Sequence, residues 1–168
     1  NTDFKQCLAF NSLSKRSNLP GLRSGYVAGN ADLIRQFLLY RTYHGSAMPV
    51  HAQKLSTLAW SDERHVIENR ALYRTKTKAF VQTLAPVWPI TPPAASFYLW
   101  PETPIDDEQF TQNLMQSCNI KVLPGQYLSR TVDGVNPGVG RVRIALVAEQ
   151  SDCIEAAERI KVCFQDLG

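Results

Sequence analysis

The sequence predicts an α/β segment joined by one long helix to a compact α+β unit, and three observations lead there. Short apolar runs and helical patterns alternate over the first sixty residues. A single helical pattern then runs from Asp62 to Ala85 and stops at the proline-rich stretch PVWPITPP. About 24 residues at ~1.5 Å each give roughly 36 Å, the width of a small domain, so this helix reads as a connection between two bodies. From Pro86 onward strands and helices alternate again, without internal repeats or low-complexity segments. The expected divisions are 1–61, 62–85 and 86–168. At 168 residues with 44% hydrophobic side chains, the chain suits one ordinary domain, or one small domain plus part of another.

The elements follow in order. Lys5 to Asn11 is apolar enough for a buried strand, ending at a serine-lysine turn, and Tyr26 to Ala28 is a second short strand. Asn30 is an N-cap, with Asp32 in the first turn, for a helix to about Tyr43 whose Leu33, Phe37 and Tyr40 share a side. HGSAMP breaks it, and Pro49 to Trp60 forms the next helix. Ser61 is the expected cap of the long helix, whose stripe is Val66, Tyr73, Phe80 and Leu84. Beyond it, Ser96 to Trp100 is a strand and Asp106 to Ser117 a helix. Ile120 to Leu123 and Gly140 to Val147 are strands, and Ser151 caps a last helix to about Gln165. The glycine-rich DGVNPGVGR lacks the spacing of a nucleotide-binding loop and precedes a strand, so it reads as a mobile loop.

Composition narrows the partners. Charged residues make up 20% and the net charge is +3, which suits anionic small molecules but is too weak to call for nucleic acid. Cys7, Cys118, Cys153 and Cys163 are scattered without a CxxC pair, a pattern of free thiols that favours a reducing compartment, with the cytoplasm as the default. No apolar run approaches the length of a membrane span. His44, His51 and His65 lack metal-ligand spacing, so structural or surface roles are expected for them.

One stretch concentrates chemistry: FNSLSKRSNLPGLRSG, Phe10 to Gly25. Lys15 stands where a strand ends, which is where α/β folds place ligands, and a partly enclosed lysine can lose its proton and attack a carbonyl. Pro20-Gly21 allows the chain to double back and bring Arg23 toward Lys15. A guanidinium grips phosphate through paired, charge-assisted hydrogen bonds, and Ser12 and Ser14 add hydroxyls. The same residues also suit a solvated basic loop. Near the other end, Arg143 lies in the apolar strand GRVRIALV. If buried, it needs an anionic partner; at an edge, it reaches solvent.

SLSKRSNLPGLRSG resembles the lysine segment of fold-type I, class I/II aminotransferases, and is most similar to the succinyldiaminopimelate aminotransferases. YRTYHGSAMPVHAQ resembles the segment after that lysine, and GVGRVRIALV resembles the C-terminal carboxylate-binding strand. The resemblance covers nearly the whole chain. It implies the end of a large pyridoxal-phosphate domain, a connecting helix and a small C-terminal domain. By position, Lys15 forms the Schiff base with pyridoxal 5′-phosphate and later moves the substrate proton. Ser12, Ser14 and Arg23 hold the phosphate, and Arg143 grips the substrate α-carboxylate. Arg141 receives no role, and Arg16, Arg41 and Arg130 are unranked anchors for a distal group.

The implied reaction moves an amino group from N-succinyl-L,L-diaminopimelate, a lysine-biosynthetic donor, to 2-oxoglutarate. The partners are amino-acid and 2-oxo-acid substrates in a homodimer, with no nucleic acid, membrane or metal. Aspartate or aromatic amino acids are alternative donors. An aminotransferase-like sensing domain of a transcriptional regulator shares the lysine motif. The acidic partner of the pyridine nitrogen, the stacking ring and most phosphate-binding amides lie upstream of the lysine in that family. Only fourteen residues precede Lys15 here, and Asp3 is the sole acid among them. The chain is therefore expected to be a C-terminal portion, inactive by itself.

Overall fold

The computed structural model describes residues 4–164, so Asp3 and the expected helix end at Gln165 lie outside the described residues. It divides into two compact units, Asn1–Arg70 and Ala71–Gly168.

The first unit is built on an antiparallel hairpin. β1 (Leu8–Ser12) pairs with β2 (Gly25–Gly29) in a register running from Leu8↔Gly29 to Ser12↔Gly25. The intervening loop is not featureless: α1 (Leu13–Arg16) and a 3-10 turn (Pro20–Leu22) fold within it. Leu13 is completely buried and organises the loop. Its N–H donates to Ser24 O at 3.1 Å, and its carbonyl accepts from Ser17 N at 3.0 Å and Leu19 N at 3.2 Å. Gly25 closes the base, where a Cβ would come within 2.7 Å of Asn11 O.

Three helices follow. α2 (Ala31–His44) is capped as expected, with the Asn30 side chain accepting from Asp32 N and Leu33 N. α3 (Val50–Ser61) begins after Pro49, and α4 runs unbroken from Arg64 to Leu84. The cap of α4 differs from expectation. Ser61 still belongs to α3, its hydroxyl donating to Thr57 O, while Asp62 accepts from Arg64 N at 2.9 Å. An extended backbone at Asp62 (φ −99°, ψ 115°) separates the two helices and leaves its carboxylate at the cap position.

The second unit packs two helices on a three-stranded antiparallel sheet of order β3-β5-β4. β3 is Tyr98–Leu99, α5 is Asp107–Cys118, β4 is Leu123–Pro124, β5 is Val142–Ala145 and α6 is Gln150–Cys163. Every strand is shorter than its apolar run predicted. Phe80, Leu84, Trp88, Leu99, Phe110, Leu114, Val142 and Ile160 form the core. Trp88 meets Phe110 edge to face at 5.1 Å and donates its indole N–H to Glu102 O. Burial pushes the Cys118 thiol up to about 11, with neighbouring Cys163 adding to the effect. All four cysteines are free. No helix among the described residues is long and apolar enough to cross a membrane.

Two adjacent aspartates divide the labour at the start of α5. Asp106 caps the helix, accepting from Glu108 N and Gln109 N. Asp107 is completely buried. It accepts from Gln126 N at 3.0 Å, Gln126 Nε2 at 3.2 Å and Gly140 N at 3.1 Å. The glycine-rich loop expected to be mobile is thus tied down. Asn136 donates to Gln126 O and accepts from Gly138 N, and Gly140 is held by Asp107.

Candidate functional site

The hairpin loop of the first unit gathers Ser12, Ser14 and Arg23 around one cavity of about 520 Å³, together with Asn11, Tyr26 and Arg41. No carboxylate among the described residues lines it, so an anion there meets hydroxyls and two guanidiniums without repulsion from them. Lys15, between Ser14 and Arg16 on α1, is exposed and lies beside this lining rather than in it. Arg23 takes a left-handed backbone (φ 52°) at the end of the 3-10 turn, and its Nη1 donates to Pro20 O at 2.9 Å. A second cavity of about 530 Å³ shares Arg23 and Arg41 and adds His44 and His51, again without a carboxylate. Arg41 makes no hydrogen bond or ion pair among the described residues. Its guanidinium lies where a Cβ on Gly45 would stand.

Arg16 behaves differently, although it adjoins Lys15. Its side chain is only 9% exposed and pairs with Glu63. It donates to Ala59 O at 2.9 Å and stacks over Trp60 at 5.0 Å. Trp60 in turn donates to the buried Ser24 hydroxyl. Arg16 therefore satisfies the carbonyl end of α3 and is not available to anchor a substrate.

The second unit repeats this contrast between adjacent arginines. Arg141 pairs with Glu102 at 2.5 Å and donates to Trp100 O. Arg143, on β5 opposite Leu123, is half-buried and lies over the Tyr98 ring at 4.7 Å. Among the described residues it makes no hydrogen bond or ion pair. Its forked donors remain open to a carboxylate.

His65, for which only a structural or surface role is expected, bridges two segments of the chain. Its Nδ1 bonds Asp62 Oδ2 at 2.7 Å and its Nε2 bonds Ser17 Oγ at 2.8 Å. The His65 bond, helped by the Arg64 N–H, holds the Asp62 carboxyl below the usual carboxylate range. The signal in the sequence was the i, i+3 spacing of Asp62 and His65 at a helix start. The link to Ser17 had none.

Comparison with known proteins gives a consistent result. The family model described as aminotransferase class I and II matches residues 2–160. A crystal structure of an aminotransferase from Neisseria meningitidis is 52% identical, with a TM-score of 0.89, over 95% of this chain and 41% of that one. LL-diaminopimelate aminotransferase 2 of Trichormus variabilis is 32% identical over 92% of this chain and 39% of its own length. A protein from Thermus thermophilus described as a probable N-succinyldiaminopimelate aminotransferase is 26% identical, with a TM-score of 0.83, over 96% of this chain and 43% of that one. The chain thus spans about two fifths of the length of the relatives it matches.

Proposed function

The chain belongs to the class I and II aminotransferase family, and on that premise we propose that it is part of an enzyme moving an amino group from an amino acid to 2-oxoglutarate. Pyridoxal 5′-phosphate, the cofactor of that family, supplies the aldehyde and the electron sink when bound. The observation that supports this reading is the serine-lined cavity with Arg23 and Arg41, free of carboxylates, one residue from the exposed Lys15. Such a lining fits a phosphate group.

In this reading Ser12, Ser14 and Arg23 bind the phosphate. Lys15 would be the amine that holds the cofactor through its aldehyde carbon, and its Nζ, freed when the substrate amine takes its place, would move the proton at the substrate α-carbon. Arg143 holds the α-carboxylate, an assignment supported by the lack of an anionic partner for it among the described residues and by the Tyr98 ring beneath it. The donor becomes a 2-oxo acid and 2-oxoglutarate becomes glutamate, so two half-reactions balance without an external oxidant.

We read the donor as N-succinyl-L,L-diaminopimelate, as the lysine segment and the Thermus thermophilus neighbour favour. The intact protein is read as a cytoplasmic homodimer without nucleic-acid or membrane partners. The test supplies the full gene product with cofactor and 2-oxoglutarate and follows glutamate formation from N-succinyl-L,L-diaminopimelate, L,L-diaminopimelate, aspartate and phenylalanine. Preference for the succinylated donor supports the assignment. Preference for another donor reassigns the substrate, and no glutamate from any of them removes the proposal.

Two arginine variants test the parts separately. Arg143→Ala is expected to raise the KM for the amino donor about 10- to 100-fold with cofactor affinity unchanged, the scale of a charge-assisted pair. Arg23→Ala is expected to weaken cofactor binding about tenfold in an equilibrium titration, with a smaller effect on donor KM.

A further inference from the structure

The three residues after Lys15 each bond to the joint between α3 and α4. Arg16 reaches Ala59, Asp62 and Glu63. Ser17 Oγ meets His65 Nε2 at 2.8 Å, and Asn18 Nδ2 donates to Asn69 Oδ1 at 3.3 Å. The partners advance along the chain as the donors do, so residues 16–18 lie along the first turns of α4 like a strap.

The middle of this strap is a continuous chain of hydrogen bonds. Asp62, held ionised, only accepts, so His65 Nδ1 carries the hydrogen toward it. Ser17 Oγ accepts from Arg16 Nη1 at 3.2 Å and bonds His65 Nε2 on its other side. α1 itself is only four residues long and cannot hold its shape through its own backbone hydrogen bonds.

We propose that Ser17, His65 and Asp62 are positioning residues that fix the turn carrying Lys15 against the start of α4. The proposal deepens the aminotransferase reading and rests on it for the role of Lys15. None of the three touches substrate or cofactor; they act by holding the backbone from which the amine projects. A displacement of about 1 Å at a reacting group can cost around 100-fold in rate.

The test compares Ser17→Ala, Ser17→Thr and His65→Leu in the full gene product. Amide hydrogen exchange of residues 13–19 is measured without cofactor, alongside kcat, the donor KM and the rate of amine labelling at Lys15 relative to Lys54. For Ser17→Ala and His65→Leu, exchange over residues 13–19 should rise about tenfold and kcat fall about 10- to 100-fold, with donor KM within about twofold. Ser17→Thr, which keeps the hydroxyl, should restore both. Unchanged exchange in folded variants overturns the proposal. So does raised exchange with unchanged kcat, or a threonine variant as impaired as the alanine one. If the unaltered protein transfers no amino group, the enzymatic reading falls on its own. Exchange and Lys15 labelling then decide the strap: a change in Ser17→Ala that Ser17→Thr reverses supports it, and equal values in all three proteins overturn it.

Discussion

Replacing Lys15 by alanine in the full gene product is expected to reduce amino transfer by at least about 1,000-fold, with the melting temperature essentially unchanged. The rate loss follows from removing two functions at once. On the proposed reading the amine that would hold the cofactor is gone, and so is the base at the substrate α-carbon, a contribution worth about 100- to 10,000-fold by itself. The unchanged stability follows from exposure. Lys15 projects from a turn whose buried anchor is its neighbour Leu13, so truncating the lysine leaves the packing intact. Initial rates of glutamate formation at saturating cofactor, paired with thermal melts, separate these effects. An undiminished rate in a folded variant removes Lys15 from the mechanism.

Replacing Asp107 by alanine is expected to have the largest effect on stability, about 3–5 kcal/mol, because it leaves several buried N–H donors unsatisfied at roughly 1–3 kcal/mol each. The carboxylate receives three N–H donors, two from Gln126 and one from Gly140, and is completely shielded from water. Truncation strands all three donors. Because domains have only about 5–15 kcal/mol in hand, that is a large fraction of the total. Asparagine is not a rescue: it keeps one acceptor but points an NH₂ at groups that themselves donate. Urea titration of the full gene product measures both variants. A midpoint shift corresponding to less than about 1 kcal/mol for the alanine variant would mean that water or a rearranged loop replaces the carboxylate.

Much of this was legible because it is local. Asn30 caps its helix as its position ahead of apolar periodicity indicates, whereas Asp106, expected as the first helical residue, turns out to be the cap of its own. The lysine segment could be read because several residue types recur there at fixed spacing. The rest depends on contacts between distant residues. Periodicity cannot reveal α1, since four residues complete barely one turn. Nothing local distinguishes Arg16 from Arg23, yet one is bound to the end of α3 and the other lines two cavities. Arg141 and Arg143 differ in the same way, because Glu102 pairs with only one of them. Asp106 and Asp107 are identical neighbours, and only the packing of the glycine-rich loop sends the second inward.

The pairing of Ser12 with Gly25 encloses both Lys15 and Arg23 in one closed segment of chain. The separation of the amine and the guanidinium is consequently an internal dimension of that segment, independent of the lengths of loops elsewhere. Insertions beyond residue 25 leave this dimension alone, whereas one extra residue between 15 and 23 changes the span by up to ~3.5 Å. Homologues should therefore vary freely in connector length around this segment while keeping its residue count constant.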